Sequence, residues 1–142
     1  LANSDSYYIV EIKSLKRILD AVGKKGIPVL CFIDEVLRGT NTVERIAASS
    51  EILKNLNTDR ALCFAATHDI ELTTILKDCY SNYHFQEEVT EDEVKFDYKL
   101  YAGPATTRNA IKLLNVIGYD KNIIKGAEQR AMHFLTDGNW KS

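Results

Sequence analysis

Two adjacent carboxylates and one histidine are the residues best placed to do chemistry. Asp34 and Glu35 close a run of apolar residues, Val29-Leu30-Cys31-Phe32-Ile33, which enters through Pro28. His68 follows a second run, Ala61-Leu62-Cys63-Phe64-Ala65-Ala66, after Thr67. Short runs that are apolar without alternation read as strands buried on both faces, as in a parallel sheet. Parallel sheets place their sites outside the carboxyl ends of the strands, so all three side chains are expected at one crevice. The first acid can hold magnesium, usually through water. The second, out of register on the pleat, can orient or deprotonate an attacking water. An imidazole beside them can donate to a phosphate oxygen or hold that water. An Asp-Glu pair after such a strand is the Walker B arrangement of nucleotide-hydrolysing domains. The competing reading is a strand that ends in solvated acids, or in acids that neutralise a base. His84 and His133 fall on an expected hairpin and an expected terminal helix and read as structural.

The elements that must position these groups follow from periodicity. Tyr8, Ile12, Leu15, Leu19 and Val22 mark one face of a helix over residues 7 to about 22, with Ser6 as N-cap and Gly23 as stop. After Glu35, Asn41-Thr42-Val43-Glu44 reads as a capping box. It opens a helix to about Leu56 that carries Ile46, Ser50, Leu53 and Leu56 on one side. A short helix is expected after His68, to about Asp78. Strand, helix and strand with a helical crossover indicate a parallel α/β sheet. The pattern then changes to alternation: Tyr83 and Phe85, then, after the acidic turn Thr90-Glu91-Asp92, Val94, Phe96, Tyr98 and Leu100. This predicts an antiparallel hairpin with one wet face. Beyond Gly103-Pro104, one helix is expected from about Thr106 to Ile117. Another is expected from near Asp120, with Ile123, Ala127, Ala131 and Phe134 on one face.

Bulk properties narrow the class. The chain has 142 residues, ordinary apolar and charged fractions, and a net charge of −2 with the signs mixed. That leaves no electrostatic footprint for DNA or an anionic membrane, and there is no long apolar span. The three cysteines lack metal-ligand spacing; Cys31 and Cys63, inside apolar runs, read as core thiols. These features predict a cytoplasmic protein without membrane partners. The first residue is Leu1, from which an excised or processed segment is expected.

The motifs taken together carry a resemblance. Ser6-Tyr7-Tyr8-Ile9-Val10-Glu11, then Leu30-Cys31-Phe32-Ile33-Asp34-Glu35-Val36-Leu37-Arg38-Gly39-Thr40-Asn41-Thr42, then Ala66-Thr67-His68-Asp69-Ile70-Glu71-Leu72-Thr73 resemble the C-terminal ATPase domain of MutS-type DNA mismatch-repair proteins in order and spacing. The resemblance implies a role for each matching residue. Ser6 resembles the signature serine that touches the γ-phosphate of ATP held by the opposite subunit, and a helix N-terminus suits an anion. Asp34 resembles the magnesium-site acid, Glu35 the catalytic glutamate, and His68 the switch histidine near the γ-phosphate. Gly39, Thr40, Asn41 and Thr42 resemble the loop that crosses the dimer interface; as an ordinary turn, the same stretch needs only Asn41 as a cap.

The departures from the pattern are specific. No Gly-x-x-x-x-Gly-Lys-Ser/Thr phosphate loop is present. Val36-Leu37 replaces Ile-Gly after the acids, and Pro104-Ala105-Thr106-Thr107-Arg108-Asn109 differs from the Ser-containing stretch usual in mismatch-repair members. These point to a divergent branch. The implied fold is α/β: part of a P-loop NTPase sheet of ABC type with flanking helices, an antiparallel hairpin and two C-terminal helices. Residues 1–102 would form the C-terminal half of an ATPase domain, and 103–142 a closing helix pair for dimer packing. The implied function is the ATP-binding and ATP-hydrolysing segment of a mismatch-repair ATPase, with ATP and Mg2+ as cofactors and inactivity expected of the fragment alone. The implied partners are a second copy through the ATPase face, and DNA through regions outside this segment. The alternatives are a segment of an ABC-type or chromosome-structure ATPase, and a non-catalytic dimerisation module.

Overall fold

A computed structural model describes residues 7–90, 93–106 and 109–140. Ser6, the Glu91-Asp92 part of the acidic turn, and Thr107-Arg108 lie outside the described residues. The chain divides after Asn82 into two compact units.

The first unit holds α1 (Tyr7–Gly23), β1 (Val29–Asp34), α2 (Thr42–Leu56), β2 (Ala61–Ala66) and α3 (Ile70–Ile75). β1 and β2 pair in parallel, from Val29 opposite Ala61 to Asp34 opposite Ala66, with α2 as the crossover that parallel strands require. Asn41 caps α2 as expected. Its Oδ1 accepts from Glu44 N at 3.0 Å, and Glu44 Oε2 accepts from Asn41 Nδ2 at 2.6 Å. The core lies on one side of the sheet, where Leu15, Val22, Cys31, Ile33, Leu53, Leu56, Leu72 and Leu76 pack together.

Two expectations are corrected here. The strands are not buried on both faces. Leu30, Phe32, Leu62 and Phe64 are exposed, Phe32 at 72% and Phe64 at 54%, and their two rings stack with centroids 5.3 Å apart. The strands lack alternation in composition, but the described elements cover only one face. The inward stripe of α1 also differs: Ile12 is exposed, and Glu11 sits half-buried between Tyr8 and Leu15. Positions 8, 11, 15 and 22 share a face as well as 8, 12, 15 and 22 do, because steps of three and four are equivalent on a helix.

The second unit holds β3 (Tyr83–His84), β4 (Glu87–Val89), β5 (Val94–Phe96), β6 (Tyr101–Ala102), α4 (Ala110–Ile117) and α5 (Lys121–Asp137). β4 pairs with β5 and β3 with β6, both antiparallel. The expected hairpin therefore forms, but as two short ladders. Phe85-Gln86 separates them on one arm and Asp97 to Leu100 on the other, and the longer arm bulges at Tyr98 (φ 55°). α4 begins at Ala110, later than expected, with Asn109 before it. Gly118 (φ 90°) ends α4 in the left-handed conformation, which a residue without Cβ adopts at no steric cost. In α5 the buried position is Ile124, while Ile123 is exposed. Among the described residues the fold is thus mixed α/β, with five helices and three two-stranded sheets. The β1–β2 pair is all of the expected parallel sheet that these residues build. No described helix is long and apolar enough to cross a membrane.

Candidate functional site

The site lies at the carboxyl ends of β1 and β2. Asp34 is the last residue of β1 and is exposed, in the outward alternation of Leu30 and Phe32. It has no hydrogen-bond or ion-pair partner among the described residues. Glu35 N donates to Ala66 O at 2.9 Å, which extends the ladder by one bond. There the chain leaves the sheet: Glu35 has φ 53° and Leu37 φ 58°, both in a region that costs an L-residue about 1–2 kcal/mol. Compensation comes from burial, since Val36 and Leu37 are only 2% and 1% exposed, and Ser49 Oγ donates to Val36 O at 3.3 Å.

The turn aims the Glu35 carboxylate at the end of β2. Its Oε1 lies 3.0 Å from His68 Nε2, and its Oε2 pairs with Arg38 Nε. The His68 side chain is 92% exposed and that of Glu35 25%, so the histidine caps the carboxylate from the solvent side. The structure therefore brings Glu35 and His68 together. It leaves Asp34 as a separate, unpaired acid on the outward face of the strand.

Two residues that periodicity did not single out hold this arrangement. Arg45, in the opening turns of α2, forks onto Asp69 with Nε–Oδ2 at 2.7 Å and Nη2–Oδ1 at 2.5 Å. Asp69 N in turn accepts the restraint of Thr67 by donating to its Oγ1 at 3.0 Å. The backbone on both sides of His68 is thereby tied to α2. The Asp69 carboxylate raises the Arg45 pKa further above its already high value. A signal existed in the sequence: a cation near a helix N-terminus opposes the helix dipole, so it calls for a carboxylate partner. The other residue is Glu11 of α1. Its Oε1 accepts from Leu37 N at 2.6 Å and from Arg38 N at 3.3 Å. Its signal was a carboxylate in register with the apolar stripe of α1.

The loop from Gly39 to Thr42 runs from this turn into α2. Gly39 lies against α1, where an added Cβ would meet Tyr8 Cβ at 2.9 Å and Tyr8 Cα at 3.4 Å. Thr40 Oγ1 donates to Glu44 Oε2 at 3.2 Å. A concavity of the unit lies at the other ends of the strands, among Lys16, Asp20, Glu51, Asn55 and Arg60, away from the carboxylates. Among the described residues no group of three or more His, Cys, Asp or Glu side chains could hold a metal ion. A lone exposed carboxylate such as Asp34 still suits magnesium, which keeps several waters and often takes only one or two carboxylates beside substrate phosphates.

Residues 1–135 match the family model of MutS domain V. The chain belongs to the MutS domain V family. Similar MutS proteins include the DNA mismatch repair protein MutS of Natronomonas pharaonis, 31% identical over 132 residues, covering 91% of this chain and 15% of that protein. The DNA mismatch repair protein MutS of Aquifex pyrophilus is 30% identical over 132 residues, with the same coverage of 91% and 15%. That of Thermus thermophilus is 25% identical over 127 residues, covering 89% and 15%. The chain thus spans about 15% of the length of these MutS relatives.

Proposed function

We propose that this chain is the C-terminal half of a MutS-type ATPase domain and contributes the water-activating side of an ATP-hydrolysing site. The observation that carries this reading is the Glu35–His68 contact at the carboxyl ends of two parallel strands, in a chain of the MutS domain V family. Glu35 is the general base for the attacking water. Both its oxygens are engaged, by His68 and by Arg38, and release of one contact leaves that oxygen fully open to the attacking water. His68 is the partner free to leave, being held only at the solvent edge, and a phosphate oxygen is an acceptor for its ring N–H. Asp34 would hold Mg2+, and the ion would neutralise charge on the phosphates.

The remaining roles rest on the resemblance of the motifs. Ser6 acts on ATP bound by a second copy of the protein, and Gly39, Thr40, Asn41 and Thr42 lie at the interface with that copy. The whole protein works as a dimer on DNA in mismatch repair, contacting DNA through other regions. The N-terminal half of the ATPase domain would supply the phosphate loop. The test is Glu35→Gln in the intact protein. Gln keeps the shape of the side chain but cannot accept a proton from water, so nucleotide binding should persist while hydrolysis falls by about 10²–10⁴-fold. Hydrolysis at the parent rate would exclude Glu35 as the base.

A further inference from the structure

The turn that carries Glu35 is held from outside by a single carboxylate. Glu35 and Leu37 are both left-handed, and the N–H groups of Leu37 and Arg38 converge on one point. Successive amides in such a turn form a concavity that binds an anion. Here the anion is internal: Glu11 Oε1, at 2.6 Å from Leu37 N and 3.3 Å from Arg38 N. Glu11 Oε2 is buried with no hydrogen-bond partner among the described residues. A buried carboxylate oxygen left without a donor is unfavourable, so the side chain is present at this spot for what its other oxygen does.

We propose that Glu11 is the positioning residue of the site, tying α1 to the carboxylate turn and thereby setting where Glu35 lies. The inference rests on the hydrolytic reading given above. The contact reaches Glu35 along two short routes. Leu37 N is two residues along the backbone from Glu35. Arg38, the other residue held, places its guanidinium on Glu35 Oε2. Packing of Gly39 on Tyr8 adds a second attachment of the same turn to α1. Without Glu11, two amides lose their acceptor, and the left-handed backbone is held by burial of Val36 and Leu37, the Ser49 bond to Val36 O and the packing of Gly39 on Tyr8, none of which fixes the amides of Leu37 and Arg38.

The experiment compares parent, Glu35→Gln, Glu11→Ala, Glu11→Asp and Glu11→Gln in the full-length protein, by steady-state ATP hydrolysis and by hydrogen exchange of peptides covering residues 36–39. Glu11→Ala is expected to lower kcat by about 10–100-fold, the size of effect that misplacing a reacting group produces, with KM for MgATP little changed. Glu11→Gln, whose amide oxygen can accept the same two N–H groups, should recover most of kcat. Glu11→Asp, one methylene shorter, should not. Exchange at residues 36–39 should quicken in Glu11→Ala while peptides from α2 and β2 stay protected. If Glu11→Ala fails to fold, the order of Gln above Asp decides, and equal rates for the two overturn the proposal. An inactive Glu35→Gln beside a Glu11→Ala of parent kcat also overturns it and leaves the hydrolytic reading standing. A Glu35→Gln that matches the parent removes the hydrolytic reading instead, and the exchange data then judge alone whether Glu11 holds the turn.

Discussion

At the scale of single residues, opposing terms of similar size meet at Leu37. Leu37→Gly would relieve about 1–2 kcal/mol of left-handed strain. It would also remove a side chain that is 1% exposed, and truncating a buried leucine costs about 2–5 kcal/mol. The second term wins, so the urea midpoint of the 142-residue chain should fall; a rise would mean that strain dominates. Cys31 gives a pH prediction. Burial, reinforced by the Cys63 thiol opposite it in the ladder, pushes the Cys31 thiol from 9.0 up to about 12. The raised value means that the folded chain holds this proton where the unfolded chain releases it. The associated stability is therefore complete below pH about 9 and lost as pH rises toward about 12. Urea midpoints measured through this window should fall less steeply for Cys31→Ala than for the parent; parallel slopes would remove Cys31 as a source.

At the scale of elements, the site is an agreement between two strands and two helices. β1 ends in the acids, β2 ends just before the histidine, and the two helices on the covered face steady both ends. α2 does so through the half-buried Arg45–Asp69 fork. Hydrogen bonds to charged groups contribute about 1.5–3 kcal/mol, so Asp69→Asn should lower stability by roughly that amount. The same change should loosen the turn that carries His68, which hydrogen exchange over residues 66–70 would report. α1 acts through Glu11 and through the close approach of Gly39 to Tyr8. The atoms nearest a Cβ at Gly39 are Tyr8 Cβ at 2.9 Å, Cδ2 at 3.3 Å and Cα at 3.4 Å; the ring can turn aside, but Cβ and Cα cannot. Gly39→Ala should therefore push α1 from the turn and destabilise by about 1–3 kcal/mol, read as a lower Tm. An unchanged Tm would show that α1 can shift without loss.

At the scale of the whole molecule, the first unit presents an unusual surface. Leu30, Phe32, Leu62 and Phe64 stand exposed on a two-stranded sheet. Each strand has one edge unpaired by any other described strand. Contiguous apolar surface and open strand edges both favour association. The 142-residue chain alone should therefore self-associate, and Phe32→Lys with Phe64→Lys should shift it toward monomer in sedimentation velocity. A parent chain that stays monomeric at high concentration would contradict this. The same chain should bind MgATP only weakly. A phosphate loop normally supplies backbone amides and a lysine to the phosphates, and no such motif occurs in its sequence. Calorimetry that finds micromolar binding would overturn that expectation.

The sequence by itself determined the strands, the crossover helix, its Asn41 cap, the antiparallel segment and the closing helix pair. Each of these follows from periodicity and local capping over a few consecutive residues. The positions of Asp34, Glu35 and His68 at strand ends were legible for the same reason, because a parallel order turns chain position into spatial position. Pairings between distant residues were not legible. The Glu11 contact with the amides of Leu37 and Arg38, and the Arg45 fork on Asp69, join groups 24 to 27 residues apart. Periodicity admits Glu11 and Ile12 equally on the inner face of α1, and only the tight turn beneath, with its two amides lacking an acceptor, selects the carboxylate. The exposed face of β1 and β2 was likewise decided by tertiary structure. An apolar strand records what it can be buried against, and the elements actually packed on it decide which of its faces meets water.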